Sequence, residues 1–266
     1  MNQSVVDLAR HGALSSTTLM ATGSAFEDAV RAAQASPNLG VGCHVVLVGG
    51  HPAAPLEHIG SLVGKDGNFR RKLGKFVRDL MLGGIREEEI EAEACAQIQR
   101  LQQAGIRVTH VDTHKHTHMF PAVLRPLLRA AARCGIGVVR NPFEPDWALA
   151  ATSGAPALRR LEVRMLRSWR GTFYGLVRQA GFATTDGAIG VLATGTLDAR
   201  ILKSLLGAMP DGVWELVCHP GYNDAALAAS GTRLRESRVV EHDALLEAIP
   251  NLDGIERIHF GALSSK

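Results

Sequence analysis

The segment 109–118 (THVDTHKHTH) concentrates the ionisable groups of this chain, with His110, Asp112, His114, His116 and His118 at every second position. Four of the 11 histidines fall inside it. On an extended backbone alternate side chains share a face, so the spacing predicts that all five groups point the same way. Neutral imidazoles and a carboxylate crowded together call for a positive partner. Imidazole nitrogen and carboxylate oxygen are ligands of divalent metals, so the pattern predicts a metal-assisted hydrolase.

Two further pieces carry chemistry. His44 lies inside the apolar run GVGCHVVLV, where an imidazole needs a hydrogen-bond partner or a metal. Alone it reads as a satisfied core histidine; beside the 110–118 cluster it reads as a ligand. His114 is the best ligand of the cluster, because a strand ending there would present it at a sheet edge. Asp112 either ligates directly or orients an imidazole through a hydrogen bond. For His116 and His118, ligation and plain packing near the next helix are equally good accounts. His219, in CHPGYND, follows an apolar strand and precedes a Pro-Gly turn, which presents it as a general acid. Arg140, in VVRNPFEP, orients a carboxylate or binds substrate, with an ordinary ion pair to Glu144 as the equal alternative.

The elements that must position these groups alternate. Helical patterns cover 2–10, 24–35 (with Ser24 as N-cap), 69–82, 87–103, 121–133, 157–180, 197–209 and 233–249. Short apolar or β-branched runs at 15–21, 39–48, 106–112, 137–140, 188–192, 214–218 and 257–260 read as strands. Long irregular excursions follow 48 and 140. Such alternation predicts an α/β fold with a parallel sheet, an irregular (β/α) barrel. His44, Asp112, His114, Arg140 and His219 all fall in or just past the C-terminal halves of predicted strands, where barrels keep their reactive groups. The chain opens on a helix where a complete barrel would open on a strand. Either the sheet is open or the first strand is missing from this chain.

At 266 residues, 46% hydrophobic and 21% charged, the sequence suits one domain with a substantial core. A formal charge of +3 is too mild to indicate nucleic acid. No apolar run nears the ~20 residues of a membrane span, and the N-terminus lacks a signal-peptide pattern, so a cytoplasmic protein is expected. Cys43, Cys95, Cys134 and Cys218 lack CxxC spacing and read as reduced, mostly buried thiols. In the basic stretch 159–170, Leu158, Leu161, Met165 and Trp169 recur at helical spacing and predict an amphipathic helix with a solvated basic face. A homodimer is compatible with all of this.

STTLMA at 16–21, LGVGCHVVLVGGHP at 39–52, THVDTHKHTHMFP at 109–121, VVRNPFEP at 138–145 and ELVCHPGYND at 215–224 together resemble the YdjC-like carbohydrate deacetylases, a group that includes chitooligosaccharide and hopanoid-associated deacetylases. The resemblance implies an irregular barrel of the polysaccharide-deacetylase-like type and removal of acetyl groups from N-acetylated amino sugars. It implies a divalent metal, magnesium or zinc, held by histidines such as His44 and His114 together with an N-terminal aspartate, and His219 as donor to the leaving amine. Members of the family begin with a strand ending in Asp-Asp-Phe-Gly; this chain has no Asp-Asp pair. The expectation is therefore a chain started at an internal methionine, lacking the third ligand and the base, or a shortened homologue. A non-catalytic carbohydrate- or metal-binding protein and an amidohydrolase-type metallohydrolase are the competing readings.

Overall fold

The computed structural model describes residues 1–229, 234–250 and 252–263. In chain order the elements are α1 (Asn2–Arg10), β1 (Ser16–Leu19), α2 (Phe26–Gln34), β2 (Gly40–Val45), α3 (Leu73–Met81), α4 (Glu87–Gln103), β3 (Val108–Thr113), α5 (Pro121–Arg133), α6 (Asp146–Ala151), α7 (Ala157–Leu166), α8 (Arg170–Gln179), β4 (Gly187–Ile189), α9 (Ala199–Gly207), β5 (Trp214–Leu216), α10 (Ala225–Ala229) and α11 (Glu236–Ala248). Short 3₁₀ turns occupy Leu56–His58, His114–Met119, Arg167–Trp169 and Phe260–Ala262.

All paired strands run parallel, β1-β2-β3 in one sheet and β4-β5 in another. Between them the backbone steps through single bridges, Val111 to Val139 and Val138 to Ala183. The strand expected at 137–140 is reduced to these bridges. Among the described residues no continuous ladder joins the two sheets.

Strand alternation decides what each face carries. On β2, Val41, Cys43 and Val45 are buried in the main hydrophobic cluster with α4 and α5 residues such as Ile98 and Leu124. The intervening Gly40, Gly42 and His44 belong to the other face, opposite Asp112 in register with His44. Gly42 is required there. A Cβ on it would stand 2.5 Å from the ring of His110, which stacks on Phe260 with centroids 4.0 Å apart.

Helix α4 fixes the exit of β2 with polar groups. Gln97 bonds both the N–H and the C=O of Val46 at 2.8 Å, and Glu93 accepts the N–H groups of Ala53 and Ala54. These buried acceptors satisfy a loop that leaves the sheet without ladder partners.

Several expectations change. Helix α2 begins at Phe26 after Ala25, with no side-chain cap, so Ser24 is not its N-cap. Phe69 pairs in a bridge with Val63 and α3 starts only at Leu73. The excursion after Arg140 contains α6, and the helix expected over 157–180 is broken by the turn at Arg167–Trp169. No strand forms at 257–260. Helix α11 begins at Glu236, and Arg233, the expected start, lies outside the described residues. Of the four free cysteines only Cys43 is fully buried.

The amphipathic stretch is a helix turned about. Arg160 bonds the carbonyls of Leu149 and Thr152, and Arg167 pairs with Asp146, while Leu158, Leu161 and Met165 are 55–68% exposed. Arg160 and the buried Val163, packed with Leu149 and Leu192, hold α7 down rather than the stripe of Leu158, Leu161 and Met165. No helix among the described residues is long and apolar enough to cross a membrane. Replacing Leu124, fully buried on α5, with Ala should lower unfolding free energy by about 2–5 kcal/mol. Leu161→Ala should shift it by less than about 0.5 kcal/mol in the same denaturant titration. Equal losses would contradict this assignment of core and surface.

Candidate active site

The site grows from the ends of β2, β3 and β5. Parallel register sets His44 beside Asp112, and His44 Nδ1 lies 2.8 Å from Asp112 Oδ1. An ionised carboxylate only accepts, so Nδ1 carries a hydrogen and Nε2 is the nitrogen left over. Asp112 is fully buried and its second oxygen takes an ion pair from Arg140. Arg140 also lays its Nε on Glu215 of β5, at 2.8 and 2.9 Å to the two oxygens. Burial pushes the Asp112 carboxyl up, but the Arg140 charge and the His44 bond outweigh it and hold the group well below the usual carboxylate range. At Glu215 burial wins, and Arg140 only partly offsets the rise.

His114 follows directly, and its ring stands edge-on to His44 with centroids 5.5 Å apart and planes at 75°. Burial, then the neighbouring His44 and Lys115, bring its pKa down to about 4. His219, three residues beyond β5, is also held near 4, by burial and then by Arg238, Arg140 and His44. Its Nδ1 is buried without a hydrogen-bond partner. His114 and His219 are therefore neutral bases at neutral pH.

The alternating run does not stay extended. Strand β3 ends at Thr113, and Lys115 and His116 both adopt left-handed backbone, with φ of 59° and 52°. Such conformations cost non-glycine residues on the order of 1–3 kcal/mol each and collect at functional sites. The Thr113 hydroxyl holds the turn by accepting from Thr117 Oγ1 and the His118 N–H. His118 uses both ring nitrogens, on Thr113 Oγ1 and the Arg140 carbonyl, so it has no lone pair left for a metal. His110 is enclosed between Gly42 and Phe260 and is a core residue. His116 keeps a buried Nδ1 without a partner.

Asp112 thus acts on His44 rather than as an exposed ligand, and Arg140 is saturated by two carboxylates. The pairing of Arg140 with Glu144 does not occur: Glu144 accepts the N–H groups of Gly190 and Leu192 instead. Sequence reasoning missed Glu215. The only signal was an acid alternating with apolar residues in WELVC, which places it on the inward face.

His44 and His114 bring two imidazoles, the donor type that divalent transition metals take, to one rim with centroids 5.5 Å apart. Among the described residues no group of three or more His, Cys, Asp or Glu converges as a metal set. A cavity of about 560 Å³ opens elsewhere, lined by Ser16, Trp214, Glu215, Cys218 and His259, and none of the three imidazoles borders it.

Comparison with known proteins places the chain among relatives. The profile of the YdjC-like protein family matches residues 1–250. A protein of Geobacillus stearothermophilus named carbohydrate deacetylase is 34% identical over 242 residues, covering 91% of this chain and 81% of that protein. A chitooligosaccharide deacetylase of Enterobacter sp. (strain 638) is 34% identical over 139 residues, 52% of each chain. A crystal structure from Enterococcus faecalis, described as a cellobiose-phosphate cleavage protein, superposes with a TM-score of 0.69 at 22% identity, covering 93% of this chain and 85% of that one. That likeness establishes the mixed α/β fold with parallel strands.

Removing Arg140 leaves Asp112 and Glu215 buried without a counter-charge. Arg140→Met should lower unfolding free energy by about 3–5 kcal/mol, the cost of stranding a buried charge. A loss under about 1 kcal/mol in denaturant unfolding would show that the cluster does not hold the two sheets together.

Proposed function

This chain belongs to the YdjC-like protein family, and from that membership we propose that it is a carbohydrate deacetylase, hydrolysing the acetamide of an N-acetylated amino sugar on an irregular (β/α) barrel. The observation that carries the proposal is the commitment of His44 Nδ1 to Asp112, which leaves Nε2 free within reach of His114. A carboxylate behind an imidazole fixes its tautomer and raises its basicity, the usual support for a metal-binding histidine.

His44 and His114 would hold a divalent cation, which when bound supplies Lewis-acid polarisation of the amide and a lowered water pKa. Nitrogen donors favour a zinc-like ion over magnesium, which prefers oxygen. Asp112 and Arg140 keep His44 oriented, and His116, in the left-handed turn beyond β3, supports the turn or meets the sugar. His219 is held neutral in the free site. It takes up the proton lost as water attacks the amide carbon and returns it to the sugar nitrogen as the C–N bond breaks. Without that proton the amine is a poor leaving group.

Because the described residues offer two ligands rather than three, a non-catalytic carbohydrate-binding homologue is the second reading. Calorimetric zinc titration and deacetylation of N-acetylglucosamine oligomers separate the two. His44→Ala and His114→Ala should abolish zinc binding. His219→Ala should bind zinc as the parent does and lose roughly a hundredfold or more in turnover. Loss of zinc from the His219 variant contradicts the division of roles, and sugar binding without turnover in the parent favours the second reading.

A further inference from the structure

The ring of His219 has no anchor of its own at Nδ1, and β5 makes its last ladder bond two residues earlier, from the Val217 N–H to the Ile189 carbonyl. What fixes His219 is its peptide. Its N–H donates to Glu241 Oε2 at 2.5 Å, and its carbonyl accepts from Arg238 Nη1 at 3.1 Å. Both partners stand three residues apart on α11 and so share a helix face. The Arg238 carbonyl accepts the Gly221 N–H at 3.1 Å, which pins the far side of the Pro-Gly turn. Gly221 leaves room for this contact, since a Cβ there would stand 3.1 Å from Arg238 Cδ. Glu241 is 1% exposed and turns its other oxygen to the Gly195 N–H at 3.3 Å. A buried carboxylate is costly unless it is hydrogen-bonded, and these two backbone N–H groups supply its bonds.

We infer that Glu241 and Arg238 are positioning residues for His219, setting the imidazole's place at the rim through its peptide unit. The inference rests on the role proposed above for His219. Neither residue touches the reacting atoms. Displacing the ring lengthens the proton transfer, so the loss falls on kcat and leaves sugar binding alone.

The test uses the zinc-loaded full chain and an N-acetylglucosamine disaccharide. Glu241→Gln keeps one acceptor oxygen and should lower kcat up to about tenfold; Glu241→Leu keeps none and should lower it about a hundredfold, with KM within about twofold in both. The double variant Glu241→Leu, His219→Ala should be no slower than His219→Ala alone, because both changes remove one function. Multiplying losses in the double variant, or an unaffected kcat in Glu241→Leu, overturns the inference. If the parent deacetylates no sugar, the functional reading fails separately, and hydrogen exchange of the His219 amide decides this one. Exchange should be slow in the parent and at least about tenfold faster in a folded Glu241→Leu, which keeps no acceptor. Unchanged exchange shows that Glu241 does not hold the peptide.

Discussion

The bridge from His44 through Asp112 to Arg140 and on to Glu215 is the constraint on which the rest of this molecule depends. It joins β2, β3, the bridge segment after β3, and β5, and so ties together two sheets that no continuous backbone ladder connects among the described residues. Taking Asp112 out of water is unfavourable, and the fold repays it with a guanidinium on one oxygen and an imidazole N–H on the other. The same bonds that make the carboxylate tolerable decide which nitrogen of His44 is left over. Structural stability and candidate chemistry are thus set by one cluster.

Around that cluster the chain divides labour between two kinds of polar contact. Buried carboxylates, Glu93 on α4, Glu241 on α11 and Glu144 in the loop before α6, each accept backbone N–H groups from segments beyond a strand end. They pin the irregular connections on which a parallel sheet depends for its rim. The imidazoles are left weakly partnered by contrast. His116 and His219 each keep an unpaired ring nitrogen in a buried setting.

Much of this was legible in the residues. The helix Pro121–Arg133 announces itself by proline at its first turn, and Glu87–Gln103 by acids at its start and a 3.6 period. His44, His114 and His219 were each readable from an imidazole at the end of an apolar strand. The polar alternation at 109–118 misled beyond Thr113, because the Thr113 hydroxyl captures the backbone of His118 and bends the run into a tight turn. That competition between side chain and backbone cannot be read from periodicity. The outward-facing apolar stripe of α7 was illegible for a related reason. Arginine bonds to carbonyls elsewhere in the chain orient that helix, and no local pattern reveals them. Glu215 was missed because its partner is 75 residues away in sequence.

X-ray absorption at the zinc edge of the metal-loaded protein tests the central claim most directly. Two imidazoles per zinc, with nitrogen or oxygen neighbours near about 2.0–2.1 Å and the imidazole signal diminished in His44→Ala, is the outcome predicted here. A zinc environment of sulfur at about 2.3 Å, or one whose imidazole signal survives loss of His44, would contradict it.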